Sequence, residues 1–431
     1  MDVNGEARQR NILFVYGGLP LGGIETFLIR MSKYFHGQNV SITTLFLTHN
    51  GDAKLFYELS KFSKIVYLDE IKYSLSPYFC HGPTILNLLT PLHKELVAGK
   101  LGLNYDHIHA LDTFSLLMAK RILKFYPGTK LSCGVYHDQE YDFKHLNKTY
   151  FGRRLSEIVD SVPPENVIFF NDHSPQVFAK TYQKDFSGSL VVPIGIDTNT
   201  FTMRELRPRT GTVTSIGRLV PFKSYNIHAI HAVKGLRDRG IMLDYEIYGS
   251  GESRQLLEAM IQDLDLQGQV TLKGDMDYSN FASVVDGSLA FIGSGTALIE
   301  ASACGVPAII GIEGETAGKT YGFLHQIKGL AYHDQNLDFE LTSIEERLEY
   351  LVTCSVSEYE ADCHKAHLRA KDFSIENTGE KWLKAWNRFR IDDNPLNYLG
   401  IWQIVSNCLF NYMLRPAFVF KQFFGRHSKM R

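Results

Sequence analysis

The chain lacks any spacing that would pair its cysteines. Six are scattered from Cys80 to Cys408 with no Cys-x-x-Cys pair. Such usage argues against a disulfide framework or a zinc site and for reduced thiols in a cytosolic protein. It also lacks a charge excess: the formal net charge is −2, which gives no global pull toward nucleic acid. Its first apolar run, Ile12 to Tyr16, is too short for the core of a secretion signal, so no signal peptide is expected. Short-period repeats and low-complexity tracts are missing too. What remains is an average globular composition, 44% hydrophobic and 21% charged over 431 residues. That length exceeds one ordinary domain and suits two domains with an appendage.

Short apolar and β-branched runs alternate with helical stretches. In the first half they are Asn11–Tyr16, Val40–Leu47, Lys64–Leu68, His107–His109, Leu131–Tyr136, Val167–Phe170 and Leu190–Val192. In the second half they are Val213–Ile216, Leu243–Tyr248, Val270–Leu272, Leu289–Ile292 and Ala308–Ile312. Several are continuously apolar, as in parallel strands covered on both faces. The alternation predicts an α/β protein of two doubly wound domains facing across a cleft, where ligands bind. The expected domains are 1–195 and 196–373, a helix over 374–394 crossing back to the first domain, and a tail over 395–431. Pro193 and Gly195 punctuate the boundary, and Arg204–Arg209 reads as the linker.

Gly293-Ser-Gly-Thr-Ala-Leu-Ile-Glu300 carries the clearest chemistry. A strand runs into a glycine-broken turn, and a helix opens at Thr296. Free backbone N–H groups and the dipole at that start suit a phosphate. Glu300, one turn in, can accept hydrogen bonds from a ribose diol. Gly217-Arg218 and Lys223 follow the first strand of the second domain, a guanidinium fork and a point charge suited to a diphosphate. Tyr248-Gly-Ser-Gly251 ends the next strand and permits close backbone approach, with a plain tight turn as the even alternative. Gly314-Glu-Thr-Ala-Gly-Lys-Thr320 is one residue short of a P-loop and is discounted as one. Near the N-terminus, Gly17–Glu25 holds four glycines at a strand-to-helix turn, leaving amides bare for an anion or sugar. Of two strand-end histidines, His109 and His137, the second, followed by Asp138, is the preferred functional one.

Taken in order, Gly22-Gly-Ile-Glu25, His137, Val192–Asp197 with Phe201, Gly217-Arg218…Lys223, Tyr248–Gly251 and Glu300–Pro307 resemble glycosyltransferase family 4. The resemblance runs from about Asn11 to Arg390. It implies a GT-B fold, a nucleotide-sugar donor held by the second domain, an acceptor held by the first, anomeric retention, and no metal or cofactor. Carried over by position, it implies a catalytic set of His137, Arg218, Lys223 and Glu300. Arg218 and Lys223 would hold the diphosphate, Glu300 the ribose, and His137 the donor sugar. The donor-binding set would be Gly22, Gly23, Gly217, Tyr248, Gly249, Gly251, Gly274, Ser294, Gly295 and Thr296, with the Gly22-Gly23 loop closing over the reaction centre. One departure stands out. The family carries two glutamates eight positions apart, and Ile292 replaces the first, which normally touches donor-sugar hydroxyls. The sugar specificity is therefore expected at Ile292–Ser294.

The leading expectation is a retaining, metal-independent glycosyltransferase of surface polysaccharide or glycolipid synthesis, using a UDP- or GDP-sugar. A nucleotide-sugar 2-epimerase of the same fold fits the motifs less well, and a non-catalytic sugar-nucleotide-binding subunit is the third reading. The tail from Leu396 to Leu414 is uncharged, with Asn397, Gly400, Gln403, Asn407 and Asn411 on one helical stripe and a basic end beyond. It reads as an in-plane helix on an anionic membrane, in preference to one packed on the first domain. The expected location is cytoplasmic, peripheral on the inner face of the membrane, with a lipid-linked or glycan acceptor.

Overall fold

In the computed structural model, residues 9–73, 88, 91–102, 104–136, 150–203 and 210–391 are described. His137, Asp138, the linker 204–209 and the tail 395–431 lie outside them. Contacts divide the chain into two units, one of Met1–Phe170, Ser174–Val192 and Gly379–Arg431, the other of Asn171–His173 and Pro193–Thr378.

The first unit is built on seven parallel strands: β1 (Arg10–Tyr16), β2 (Val40–Phe46), β3 (Lys64–Tyr67), β4 (His107–Ala110), β5 (Lys130–Val135), β6 (Val167–Phe169) and β7 (Leu190–Val191). Their order is β3-β2-β1-β4-β5-β6-β7. β1 reads as a continuous apolar run because both its faces are covered; Ile12, Leu13, Phe14 and Val15 are all buried. The helix Gly23–Gly37 after β1 buries Phe27, Leu28, Met31 and Phe35, one stripe at helical spacing.

The second unit holds five parallel strands: β8 (Thr212–Ile216), β9 (Asp244–Tyr248), β10 (Val270–Gly274), β11 (Ala290–Gly293) and β12 (Ala308–Ile310), in the order β10-β9-β8-β11-β12. In each sheet the strand order reverses beside the first strand, between β1 and β4 and between β8 and β11. At such a point the loops on either side diverge and leave a crevice at the carboxyl ends of the strands.

Helix Ile375–Ala385 starts in the second unit and continues into the first, the division falling between Thr378 and Gly379. A Cβ on Gly379 would lie 2.2 Å from the Tyr34 ring, so glycine is what lets the helix approach this closely. Beyond it, Trp382, Trp386 and Phe389 are buried in the first unit.

Candidate functional site

The carboxyl edge of the second sheet gathers most of the residues singled out in the sequence. β8 delivers Gly217 and Arg218, β9 delivers Gly249 and Gly251, β10 ends on Gly274, and β11 leads into Ser294, Gly295 and Thr296. Backbone hydrogen bonds lock these turns together. Gly217 donates to Tyr248 O at 3.0 Å, Gly249 to Gly274 O at 2.7 Å, and Leu219 to Ser250 O at 2.8 Å. Gly249 has φ +130°, and a Cβ there would sit 2.0 Å from the carbonyl oxygen of Gly217. Only glycine permits that packing. The turn Tyr248–Gly251 therefore serves to bring the β8 loop close.

Helix Thr296–Ala303 begins on Gly295 (φ +64°), and no side chain caps it. A Cβ on Gly295 would meet nothing within 4 Å, so the space before the helix start is open. Uncapped N–H groups facing open space suit an anion. Arg218 is exposed and Lys223 half-buried, and neither is paired with a carboxylate among the described residues. The Lys223 Nζ comes within 3.4 Å of where a Cβ on Gly217 would be, so it lies over the β8 turn.

Glu300 is buried, one turn into the helix as expected, and Tyr278 donates to its Oε1 at 2.5 Å. Tyr332 donates to the carbonyl of Gly295 at 3.0 Å. Burial first, then the charges of Asp334, Glu313 and Glu300, raise the Tyr332 hydroxyl pKa, which keeps it a donor. Tyr248 turns its hydroxyl to Glu246 at 2.9 Å; burial and that carboxylate push it up to about 12. Ser294 is buried and donates to Glu313 Oε1 at 2.7 Å. Neither Tyr278, Tyr332 nor Glu313 was singled out in the sequence. The only hint for Glu313 is its place just past a strand end, beside the Gly314–Thr320 stretch.

That stretch is no phosphate loop. The carboxylate of Glu315 takes the N–H groups of Ala317 and Lys319, and the Glu315 carbonyl accepts from Ser224 Oγ. Ile292 does not reach the edge either. Its side chain is fully buried with Ala290, Ile309 and Phe323, so within the stretch Ile292–Ser294 it supplies no polar group to the edge.

Gly22 and Gly23 open the helix after β1 in the first unit. There Glu25 is buried and accepts from Tyr16 at 2.7 Å; a Cβ on Gly22 would lie 2.4 Å from Glu25 Oε2. His109 is a core residue. It bonds Ser132 Oγ at 2.8 Å and packs edge-on to Trp382 at 4.7 Å, so it faces no ligand. His137 is outside the described residues. No described helix is long and apolar enough to cross a membrane.

Residues 201–318 match the family model "Glycosyl transferases group 1". No curated relative matches the chain by sequence. Among solved structures, a glycosyltransferase from Rickettsia africae ESF-5 is similar at TM-score 0.63 and 16% identity, covering 89% of this chain and 99% of that one. Anabaena HepE in complex with UDP-glucose is similar at 0.59 and 15% identity, covering 88% and 99%. The pneumococcal O-GlcNAc transferase GtfA in complex with UDP and GlcNAc gives 0.56 and 14%, covering 89% and 99%. The chain thus carries the α/β fold of GT-B glycosyltransferase structures, two Rossmann-like units, and the segment that matches the family model spans the strand edge just described.

Proposed function

We infer that this protein is a retaining glycosyltransferase that moves a sugar from a UDP- or GDP-sugar to a glycan or lipid-linked acceptor, as in surface polysaccharide or glycolipid synthesis. The observation that carries the reading is the convergence of Arg218, Lys223, an open helix start and buried Glu300 at one sheet edge, inside the segment that matches the family model. Two solved neighbours hold UDP-glucose or UDP with GlcNAc, which supports a uridine donor.

The chemistry follows from charge. Breaking the bond between sugar and diphosphate develops negative charge on the leaving oxygen and positive charge on the sugar ring. Arg218, Lys223 and the N–H groups at Gly295 and Thr296 are donors fixed in advance for that leaving group, the logic of an oxyanion hole. Glu300 accepts the ribose hydroxyls; in the free protein Tyr278 takes one of its oxygens. Gly249 and Gly251 let the β9 turn pack against the β8 loop that carries Arg218 and Lys223, and the space beside Gly274 is open. His137 contacts the donor sugar, the Gly22-Gly23 loop closes over the reaction centre, and the leaving phosphate takes the acceptor's proton. No metal is required, because the cations of the chain carry the diphosphate charge.

A thermal-shift screen against UDP-, GDP-, ADP- and dTDP-sugars identifies the base. With that donor, Glu300→Gln should lower kcat/KM about 10–100-fold, the loss expected when a charged acceptor of two hydroxyls is neutralised. Transfer at the wild-type rate in Glu300→Gln would refute the site.

A further inference from the structure

We propose that Glu313 reads the donor sugar: its carboxylate accepts from the hydroxyls of an uncharged sugar and turns away an acidic one. The proposal rests on the nucleotide-sugar reading above. Glu313 stands three residues past the end of β12, in the turn Gly311-Ile312-Glu313-Gly314. Ser294, the residue just before the helix-opening Gly295, donates to its Oε1 at 2.7 Å. The other oxygen has no partner among the described residues.

The turn is held on three sides. Glu313 N–H donates to His333 O at 2.9 Å, its carbonyl accepts from Gln335 Nε2 at 3.0 Å, and Gly314 N–H donates to Phe222 O at 2.6 Å. Phe222 precedes Lys223. The carboxylate is therefore fixed between the lysine loop and the helix start, the two features suited to a diphosphate, on a backbone that cannot swing away.

What such a group can bind follows from its charge. It repels a phosphate, so it cannot be a phosphate ligand itself. An ionised carboxylate is an acceptor only, and a half-buried one with a free oxygen suits a neutral hydroxyl. The other carboxylate of the edge, Glu300, is buried and engaged by Tyr278, which leaves Glu313 as the accessible one of the two. Ile292, pointing into the core, supplies no such acceptor, and β12 supplies it from the neighbouring strand end. A purely structural Glu313, tying its turn to Ser294, would affect melting temperature and leave sugar preference unchanged.

The test is calorimetric titration of the full-length chain with UDP, UDP-glucose and UDP-glucuronate, or with GDP, GDP-mannose and GDP-mannuronate where guanine is preferred. Wild type and Glu313→Gln are compared, with the equally uncharged Glu313→Ala standing in if the glutamine variant does not fold. The expected result is diphosphate affinity no weaker than wild type, an about tenfold loss for the neutral sugar conjugate relative to its diphosphate, and a gain for the acidic one. Ser294→Ala, which releases one oxygen, should shift the same contrast by a smaller factor. If all three ligands change alike, or none changes, Glu313 does not read the sugar, while the diphosphate binding still stands for the nucleotide reading. If no diphosphate binds wild type, both readings fall.

Discussion

The carboxyl edges of the two sheets share a topology and differ in chemistry. β3-β2-β1-β4-β5 in the first unit repeats as β10-β9-β8-β11-β12 in the second. In the first unit two of the polar groups near the edge are engaged by protein. Glu25 closes on Tyr16, and His109 is sealed between Ser132 and Trp382. In the second, Arg218 and Lys223 have no carboxylate partner among the described residues, and a helix opens uncapped on open space. One arrangement of strands thus yields an edge where Glu25 and His109 are taken up by protein groups and an edge that leaves two cations and a helix start unpartnered among the described residues. The fold supplies the crevice, and the side chains decide whether it is occupied by protein or ligand.

Trp382→Ala breaks the comparison from the sealed side. It empties the contact that covers Phe14, Phe35 and His109, and should cost about 3–5 kcal/mol in chemical denaturation. Diphosphate binding at the other edge should survive wherever the protein is still folded. A stability loss below about 1 kcal/mol would show that the tryptophan is not a structural seal.

Acidification sharpens the same contrast. Burial, with the nearby charge of Lys130, holds the pKa of His107 down to about 3, and burial with His107 alongside holds His109 well below its ordinary value. Between pH 6.5 and 3 the unfolded chain takes up protons that the native histidines refuse. Stability is therefore fully present above pH 6.5 and is lost as the pH falls. His107 contributes about 1.4 kcal/mol per pH unit in that window, and His109 acts in the same direction. Denaturation midpoints from pH 7 to pH 5 should fall, and His107→Gln should flatten the dependence. A flat profile in wild type would contradict the buried, neutral assignment.

Much of this was legible in sequence because it is local. Continuous apolar runs mark buried parallel strands, and the glycine turn before Thr296 marks a helix start with Glu300 one turn on. The rest depends on which residues meet across the chain. Nothing near His109 in sequence announces Trp382. Ile292 occupies a register position, but only the packing of β11 shows that its side chain faces the core. Glu313 and Tyr278 carry no local sequence signal, because their partners, Ser294 and Glu300, lie on a different strand–helix unit. Tyr332, bonded to Gly295, is silent in sequence for the same reason.

The most direct test of the account is diphosphate affinity in Arg218→Ala, Lys223→Ala and the double variant, measured by titration beside melting curves without ligand. Both side chains are at least partly exposed and lack ion-pair partners among the described residues, so melting temperature should stay near wild type. Each single change should weaken diphosphate binding about tenfold or more, and the double change more strongly. Undiminished affinity in the double variant would contradict the assignment of this edge as the nucleotide site.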